Sequence, residues 1–269
     1  AWLGEPGAHV SLGDLLDVVP QFSAAYQGVA NNIQQQQIAA YYAALCPQFK
    51  FTAPRPIAVR EKLRIGFASA HLFNHTIGKL MRGLIRHLDP AQFETFVFST
   101  RPATDEVGRD IAEHCACFVV LPRDLERAQN QIAQSGLDVL VYPDIGMDAF
   151  FYFLAFARLA PVQCVMWGHP VTTGIPAIDY FISGKDLESG DEAAAQALYS
   201  ERLVRMASTP TYLYPVQTSR AELCPDLSFA AGRTIYACVQ QPMKFHPDFD
   251  RALTEILRRD PNGVLVLLD

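Results

Sequence analysis

Several common signatures of function are absent from this sequence of 269 residues. It has no G-x-G-x-x-G motif, which argues against a nicotinamide or flavin enzyme because that motif lets the backbone approach a pyrophosphate closely. It has no G-x-S-x-G motif, so a hydrolase with a nucleophilic serine at a sharp turn is not indicated. No signal peptide and no run of about 18 apolar residues is present. We therefore expect a soluble protein that has no membrane partner.

The six cysteines are scattered, and none of them forms a C-x-x-C pair. Cys164 and Cys238 fall within apolar segments, where a thiol packs as a small hydrophobic side chain. This usage favours a reducing compartment, and we expect a cytoplasmic protein. A zinc site is not indicated, because no pair of cysteine ligands accompanies the histidines. We predict that the protein uses no metal and no other cofactor.

Positive charge is also in short supply, since the net charge is −6 and only 19% of the residues are charged. Proteins that bind nucleic acid usually show a basic face, so nucleic acid is not an expected partner. Half of the residues are hydrophobic, as in an ordinary globular protein. The length fits one large domain or two moderate ones.

Short apolar runs alternate with segments of helical periodicity from Leu63 onward. This alternation predicts an α/β fold with a doubly wound parallel sheet, because strands that are separated by helices pair in parallel. The predicted strands are 63–69, 93–100, 117–122, 137–143, 162–167 and 179–183, and the predicted helices lie near 77–88, 105–115, 124–135 and 149–158.

The pattern divides the chain into four parts. We predict an N-terminal helical segment over 1–58, with helical stretches at 11–16 and 31–42, and a first Rossmann-like domain over 59–205. A linker with several prolines follows over 206–230, and a second Rossmann-like domain begins over 231–269 with strand 234–239, helix 248–260 and strand 263–268. One such unit cannot cover both faces of a parallel sheet, so we expect this second domain to be incomplete at Asp269.

The first strand leads into the segment Asn74-His75-Thr76. Apolar residues follow at the spacing of one helical face, and Thr76 is the predicted N-cap of that helix. His75 should then lie just beyond the carboxyl end of a strand, where open α/β sheets bind their ligands. The alternative is a histidine that only forms hydrogen bonds within the loop.

A second polar segment, 167–174, follows the strand predicted over 162–167 and contains His169, Thr172 and Thr173. Its glycines permit tight turns, and we expect the imidazole and the two hydroxyls to point into the crevice beside His75. The alternative is a turn that is held by hydrogen bonds of the threonine side chains.

Asp144, Gly146 and Asp148 follow the strand predicted over 137–143, at the same edge of the sheet. Carboxylates beside a histidine can orient its ring or act as a base. A solvated turn explains so short a pattern equally well.

Gln240, Gln241 and Lys244 follow the strand of the second predicted domain, and Asp248 is the predicted N-cap of the next helix. A cation beside the positive end of a helix suits a diphosphate that gains negative charge as it leaves. The glutamine amides both donate and accept hydrogen bonds, so they suit a base or a phosphate. A solvated loop lysine is the alternative.

These segments together resemble the catalytic region of O-linked N-acetylglucosamine transferases, their SPINDLY-type relatives and the related bacterial N-glycosyltransferases. The resemblance covers about residues 62–269 and is densest over 159–174. The matching residues are Leu63-Arg-Ile-Gly-Phe-Ala-Ser69, Phe73-Asn-His75, Gly136-Leu-Asp-Val-Leu-Val141, Leu159 to Gly174, Ile178-Asp-Tyr180, Tyr199-Ser-Glu201 and Gln240-Gln-Pro-Met-Lys244.

The resemblance implies a GT-B glycosyltransferase, in which the first Rossmann-like domain holds the acceptor and the second holds a UDP-sugar. It implies that His75 lies near the sugar and the acceptor, and that Gln241 and Lys244 contact the diphosphate. It also implies inversion at the anomeric carbon without a metal. The candidate catalytic residues are therefore His75 and Lys244, and the candidate substrate-binding residues are Asn74, Asp144, His169, Thr172, Thr173, Gly174 and Gln241.

The expected function is transfer of GlcNAc or another hexose from a UDP-sugar to a side chain of a protein or peptide. The expected partners are the UDP-sugar donor and the protein or peptide acceptor. One alternative is a non-catalytic fragment that binds the acceptor or acts as a scaffold, and another is a sugar-nucleotide epimerase of GT-B architecture. The tetratricopeptide array that usually precedes this region would be reduced to residues 1–58 at most.

Overall fold

The structure is a computed structural model that describes residues 22–26, 31–54, 60–215, 226 and 228–267. The described residues form two compact units. The first is built from residues 22, 31–54 and 60–214, and the second from residues 23–26, 215, 226 and 228–267. The helix expected at 11–16 lies outside the described residues. The four-part division of the chain stays a prediction.

The first unit alternates strands and helices. Its elements are α1 (Asn32–Leu45), β1 (Leu63–Ala68), α2 (Thr76–His87), β2 (Phe93–Ser99), α3 (Glu106–Glu113), β3 (Cys117–Val120), α4 (Leu125–Gln134), β4 (Val139–Tyr142), α5 (Ala149–Leu154), β5 (Val162–Met166), β6 (Tyr180–Gly184), α6 (Glu192–Gln196) and β7 (Arg202–Met206). Short 3-10 turns of this unit lie at Pro47–Lys50 and Lys185–Leu187. The 3-10 turn Phe22–Tyr26 belongs to the second unit except for Phe22.

All seven strands of this unit form one parallel sheet in the order β3-β2-β1-β4-β5-β6-β7. The predicted α/β class with a doubly wound parallel sheet is confirmed. The strand order reverses between β1 and β4, which pair with Ile65 opposite Val139. A reversal of this kind leaves a crevice at the carboxyl ends of the two strands.

Both faces of the sheet are buried, because successive strand residues enter opposite cores. In β4, Leu140 and Tyr142 join one core, which also contains buried residues of α1, α4 and α5. Val141, between them, joins the other core, together with buried residues of α2 and α3. This arrangement explains why the strands read as continuous apolar runs rather than as alternating ones.

The strand β7 was not predicted from the sequence. It forms the edge of the sheet beside β6, with Arg202 and Met206 exposed at its two ends. Its sequence, Arg-Leu-Val-Arg-Met, has only a short apolar core between charged residues. An edge strand needs less burial than a central one, so its apolar signal is weak.

The second unit contains β8 (Thr234–Cys238), α7 (Phe249–Arg259) and β9 (Gly263–Leu267), with 3-10 turns at Ser228–Ala230 and Pro242–Lys244. The two strands are parallel and pair Thr234 with Gly263, as the predicted strand-helix-strand order requires. Asp248 occupies the N-cap position of α7, as predicted. Its backbone is helical, however, and its side chain makes no capping hydrogen bond.

Among the described residues, no helix combines the length and the apolar character that crossing a membrane requires.

The fit of α2 against the loop after β1 depends on Gly78. A Cβ added at this residue would lie 2.0 Å from the carbonyl oxygen of Phe73, which is backbone and has no rotamer to change. We expect Gly78→Ala to lower the free energy of unfolding by about 1–3 kcal/mol, as overpacking does. Urea unfolding followed by circular dichroism measures the effect. Gly184→Ala is the control, because its Cβ would meet its nearest neighbour at 3.4 Å; equal losses in both variants would contradict this prediction.

Candidate active site at the reversal of strand order

Two loops leave the sheet where its strand order reverses. The first, 69–75, connects β1 to α2, and the second, 143–148, connects β4 to α5. Both leave the carboxyl ends of neighbouring parallel strands, so the topology alone brings them together.

A hydrogen bond joins these two loops. Nδ1 of His71 lies 2.7 Å from Oδ2 of Asp144. The Asp144 side chain is only 5% exposed, whereas that of His71 is 20% exposed. The backbone N–H of His71 donates to Oγ of Ser69 at 2.9 Å, which fixes the turn after β1. A buried carboxylate therefore orients an imidazole that solvent still reaches.

His75 is the N-cap of α2. Its backbone is extended, and its Nδ1 accepts a hydrogen bond from the N–H of Ile77 at 3.2 Å. The prediction that Thr76 caps this helix is therefore wrong, because Thr76 is already the first helical residue. An imidazole nitrogen can accept from an exposed helical N–H just as a hydroxyl does.

The rings of His71 and His75 lie against each other, with their centroids 4.5 Å apart. His75 is half-buried. Burial and the neighbouring His71 hold the pKa of His75 below its ordinary value, and Asp144 only partly opposes this effect. We therefore expect His75 to be neutral near pH 7, which its capping hydrogen bond also requires.

The loop around Asn74 is held from the next helix. The backbone N–H of Asn74 donates to Oδ2 of Asp105 at 2.9 Å, and Oδ1 of Asp105 caps α3 by accepting from Gly108. The Asn74 side chain itself is exposed. The loop is thus anchored through its backbone, and the Asn74 amide stays open to solvent.

The turn after β5 is buried rather than open. His169, Thr172 and Thr173 are each at most 3% exposed. Both threonine hydroxyls donate to the buried carboxylate of Glu201, and so does the backbone N–H of Thr173 at 2.8 Å. The prediction that these hydroxyls point into a crevice is wrong, because they point at the buried Glu201 carboxylate and donate hydrogen bonds to it. The assignment of these residues to substrate binding stays a prediction.

His169 packs against the loop after β4. Gly146 has a φ of 108°, and a Cβ added there would lie 2.4 Å from Cδ2 of His169. The His169 ring also stacks with Phe22 at a centroid distance of 6.0 Å. In the same loop Asp148 caps α5 by accepting from the N–H of Phe151 at 3.0 Å. Of the two carboxylates predicted here, Asp144 contacts a histidine and Asp148 starts a helix.

Gly174 allows α1 to approach the end of this turn. Its φ is 69°, and an added Cβ would lie 2.4 Å from the carbonyl carbon and oxygen of Gln35. No side chain fits between these two stretches of backbone. Gly174 therefore has a packing role.

In the second unit, Gln241 is exposed and directly precedes the 3-10 turn Pro242–Lys244. Lys244 is half-buried, and its Nζ lies 5.4 Å from the centroid of the Tyr26 ring. A contact of this kind contributes about 0.5–1 kcal/mol and restricts where the ammonium group points.

Over the described ranges, no group of three or more histidine, cysteine, aspartate or glutamate side chains could hold a metal ion. The expectation of a metal-free reaction stays a prediction.

Sequence reasoning missed two residues of this site, His71 and Glu201. His71 lies in the same junction as His75, so its position after a strand was a usable signal. Glu201 belongs to the segment Tyr199-Ser-Glu, but nothing in its local sequence indicates that its carboxylate reaches Thr172 across 29 positions of the chain.

The family model for glycosyl transferase family 41 matches residues 13–214. This match covers the whole seven-stranded sheet and the loops 69–75 and 143–148. The chain belongs to glycosyl transferase family 41.

Curated relatives of this family-41 chain include the UDP-glucose:protein N-beta-glucosyltransferase of Actinobacillus pleuropneumoniae, which is 30% identical over 107 residues. That match covers 39% of this chain and 16% of the relative. The probable UDP-N-acetylglucosamine–peptide N-acetylglucosaminyltransferase SEC of Arabidopsis thaliana is 25% identical over 97% of this chain and 28% of its own length. The family-41 chain thus spans less than a third of either relative.

Among solved structures, a mutant O-GlcNAc transferase of Thermobaculum terrenum superposes with a TM-score of 0.67 at 22% identity. The superposition covers 93% of the family-41 chain and 48% of that transferase. It confirms the fold expected of a GT-B glycosyltransferase.

We expect Glu201→Ala to destabilise the protein strongly. The substitution leaves two buried threonine hydroxyls and one backbone N–H without their acceptor, and each unsatisfied group costs about 1–3 kcal/mol. A loss of at least about 2 kcal/mol in the free energy of unfolding should follow. Glu113→Ala is the control, because Glu113 is exposed on α3 and should change stability by less than about 0.5 kcal/mol. A similar change in both variants would show that the Glu201 contacts contribute little.

We expect the stability of the protein to fall as the pH drops from 7 to 5, in part because of His75. Since its pKa is lower in the folded protein than its ordinary value of 6.5, the unfolded chain binds the proton more readily. As the pH falls, this loss of stability begins near the pKa of His75 in the unfolded chain and is complete below its pKa in the folded protein. Unfolding followed as a function of pH should show a shallower decline for His75→Asn, which keeps an N-cap but does not titrate. Parallel curves for the two proteins would rule out this contribution.

Proposed function

We propose that this family-41 chain is part of an inverting glycosyltransferase that moves GlcNAc or another hexose from a UDP-sugar to a protein or peptide side chain. The family membership carries the proposal. The names of its relatives support it. The Actinobacillus enzyme is named for UDP-glucose and a protein, and the Arabidopsis protein is named as a probable transferase for UDP-N-acetylglucosamine and a peptide.

The arrangement at the reversal of strand order supports the same reaction. Transfer of a sugar to a hydroxyl or an amide needs a group that accepts a proton and groups that position the acceptor. His71, His75 and Asp144 supply two imidazoles and one carboxylate at the place where sheets of this order bind ligands. The exposed amide of Asn74 is suited to contact the acceptor.

The donor side of the proposal rests on the second unit. Gln241 presents an exposed side chain, and Lys244 carries the only lysine ammonium of residues 228–267. The ammonium group would stabilise the negative charge that grows on UDP as the bond to the sugar breaks. In this proposal the lysine does the work of a metal ion, so no cofactor is needed. The turn 169–174 forms the wall of the acceptor site.

The proposal also includes the cytoplasm as the compartment in which the protein acts. Cys46, Cys115, Cys117, Cys164 and Cys238 are all free thiols, as a reducing compartment such as the cytoplasm would keep them.

The test is to incubate the full-length protein with UDP-GlcNAc or UDP-glucose and a set of peptides, and to measure UDP release together with the mass of the peptides. Mass gain by one hexose or one GlcNAc supports the proposal. Peptide or UDP binding without transfer would instead support the non-catalytic alternative, and an isomerised UDP-sugar would support the epimerase.

We expect Lys244→Ala to lower kcat by about 10²–10³ while it changes the KM for the UDP-sugar much less. The reason is that the ammonium group is needed most when charge develops on the leaving diphosphate. Steady-state kinetics on the peptide assay separate the two constants. Arg258→Ala is the control, since this exposed cation of α7 pairs with Glu255. If both variants keep the wild-type kcat, Lys244 has no role in the chemical step.

A further inference from the structure

The two adjacent imidazoles form different hydrogen bonds through Nδ1. Nδ1 of His71 faces a carboxylate oxygen of Asp144, and an ionised carboxylate only accepts. Nδ1 of His71 must therefore carry a proton. Nδ1 of His75 faces the backbone N–H of Ile77, which only donates. Nδ1 of His75 must therefore be unprotonated.

The opposite nitrogens are thereby fixed as well, since a neutral imidazole carries one proton. Nε2 of His71 has a free lone pair and accepts. Nε2 of His75 carries the proton and donates. Neither Nε2 atom makes a hydrogen bond with another residue of the part of the chain that the structure describes. The site thus offers one acceptor and one donor, both still available to a substrate.

We propose that His71, oriented by Asp144, is the proton acceptor of this site, and that His75 is the donor that positions the substrate. This division of roles rests on the proposed glycosyl transfer. It adds His71 to the candidate catalytic residues, because the resemblance names His75 but not His71.

The chemical step balances with the substrates of that reaction. An acceptor oxygen or nitrogen attacks the anomeric carbon and forms the new glycosidic bond. The bond between that carbon and the diphosphate oxygen breaks, and its electron pair leaves with UDP. The proton of the acceptor group passes to Nε2 of His71. Asp144 stabilises the resulting imidazolium without taking the proton, as the carboxylate of an Asp-His pair does.

The charges around the two rings favour this division. Nδ1 of His71 lies 2.7 Å from the buried carboxylate of Asp144. His75 instead lies where Lys79 and Arg101, like His71 itself, disfavour a positive charge. It also caps a helix, whose N-terminus disfavours cations. Of the two imidazoles, His75 is therefore the one whose surroundings disfavour an added proton.

The protonation states can be read directly by long-range ¹H–¹⁵N NMR on the protein labelled with ¹⁵N-histidine at neutral pH. We expect a proton on Nδ1 of His71 and on Nε2 of His75. Asp144→Asn should shift the resonances of His71, whereas Asp110→Asn should leave them unchanged, because Asp110 pairs with His114 on α3 instead. A His71 ring protonated on Nε2 alone would overturn the assignment, whether or not the protein transfers sugar.

The rate of transfer tests the role itself. In His71→Asn the side-chain amide can still donate to Asp144, so the fold should persist, but no acceptor remains at the position of Nε2. We expect transfer to fall by about 10²–10⁴, as the loss of a general base does, with the KM for the UDP-sugar nearly unchanged. The control is His114→Asn, which removes the histidine of the Asp110–His114 pair. This variant should transfer sugar at the wild-type rate.

A loss smaller than about tenfold in His71→Asn, in folded protein, would overturn the role of His71 as proton acceptor. Absence of transfer in the wild type has a different meaning. It would refute the glycosyl transfer, and the proton-acceptor role with it, while the NMR result would still decide which nitrogen of each ring carries a proton.

Discussion

The reversal of strand order between β1 and β4 is the constraint on which the rest of this site depends. From β1 the chain proceeds to β2 on one side, and from β4 it proceeds to β5 on the other, so the connecting loops must diverge as they leave the sheet. Diverging loops leave space for a ligand. They also separate backbone and side-chain polar groups, which then need hydrogen-bond partners other than the neighbouring strand. The bond between His71 and Asp144 meets part of that need, because it joins the loops across the gap while leaving one edge of the imidazole open.

A second buried carboxylate, that of Glu201, fixes the turn after β5 at the edge of the site. Glu201 lies just before β7 and accepts hydrogen bonds from Thr172 and Thr173 after β5. Carboxylates are rarely buried unless they are paired, and this one is stabilised by hydroxyl and N–H donors instead. The edge strand β7 therefore has a function that its exposed position does not suggest. It places the group that fixes the turn beside the site.

The sequence predicts the fold well, because a parallel sheet covered on both faces has a periodicity that few other structures share. The central strands are mostly apolar, and the prediction placed each of them within one or two residues of its observed ends. The edge strand β7 was missed, since Leu203 and Val204 alone provide too little apolar signal. Local sequence patterns place Asn74 and His75 correctly after β1, but they do not predict the hydrogen-bond partners of the side chains. Whether Thr76 or His75 caps α2 depends on the backbone path between the strand and the helix, where Ile77 donates to His75. Whether Thr172 faces solvent or Glu201 depends on a contact across 29 positions of the chain.

The contact between Gly174 and Gln35 has a consequence for motion. Most helices rest on side chains, which change rotamer and let the helix shift by fractions of an ångström. Here α1 meets the turn backbone against backbone, so this contact has no such freedom. A displacement of α1, which is about 21 Å long at 1.5 Å per residue, must move the turn with it. We therefore expect the helix and the turn to move together as one rigid body.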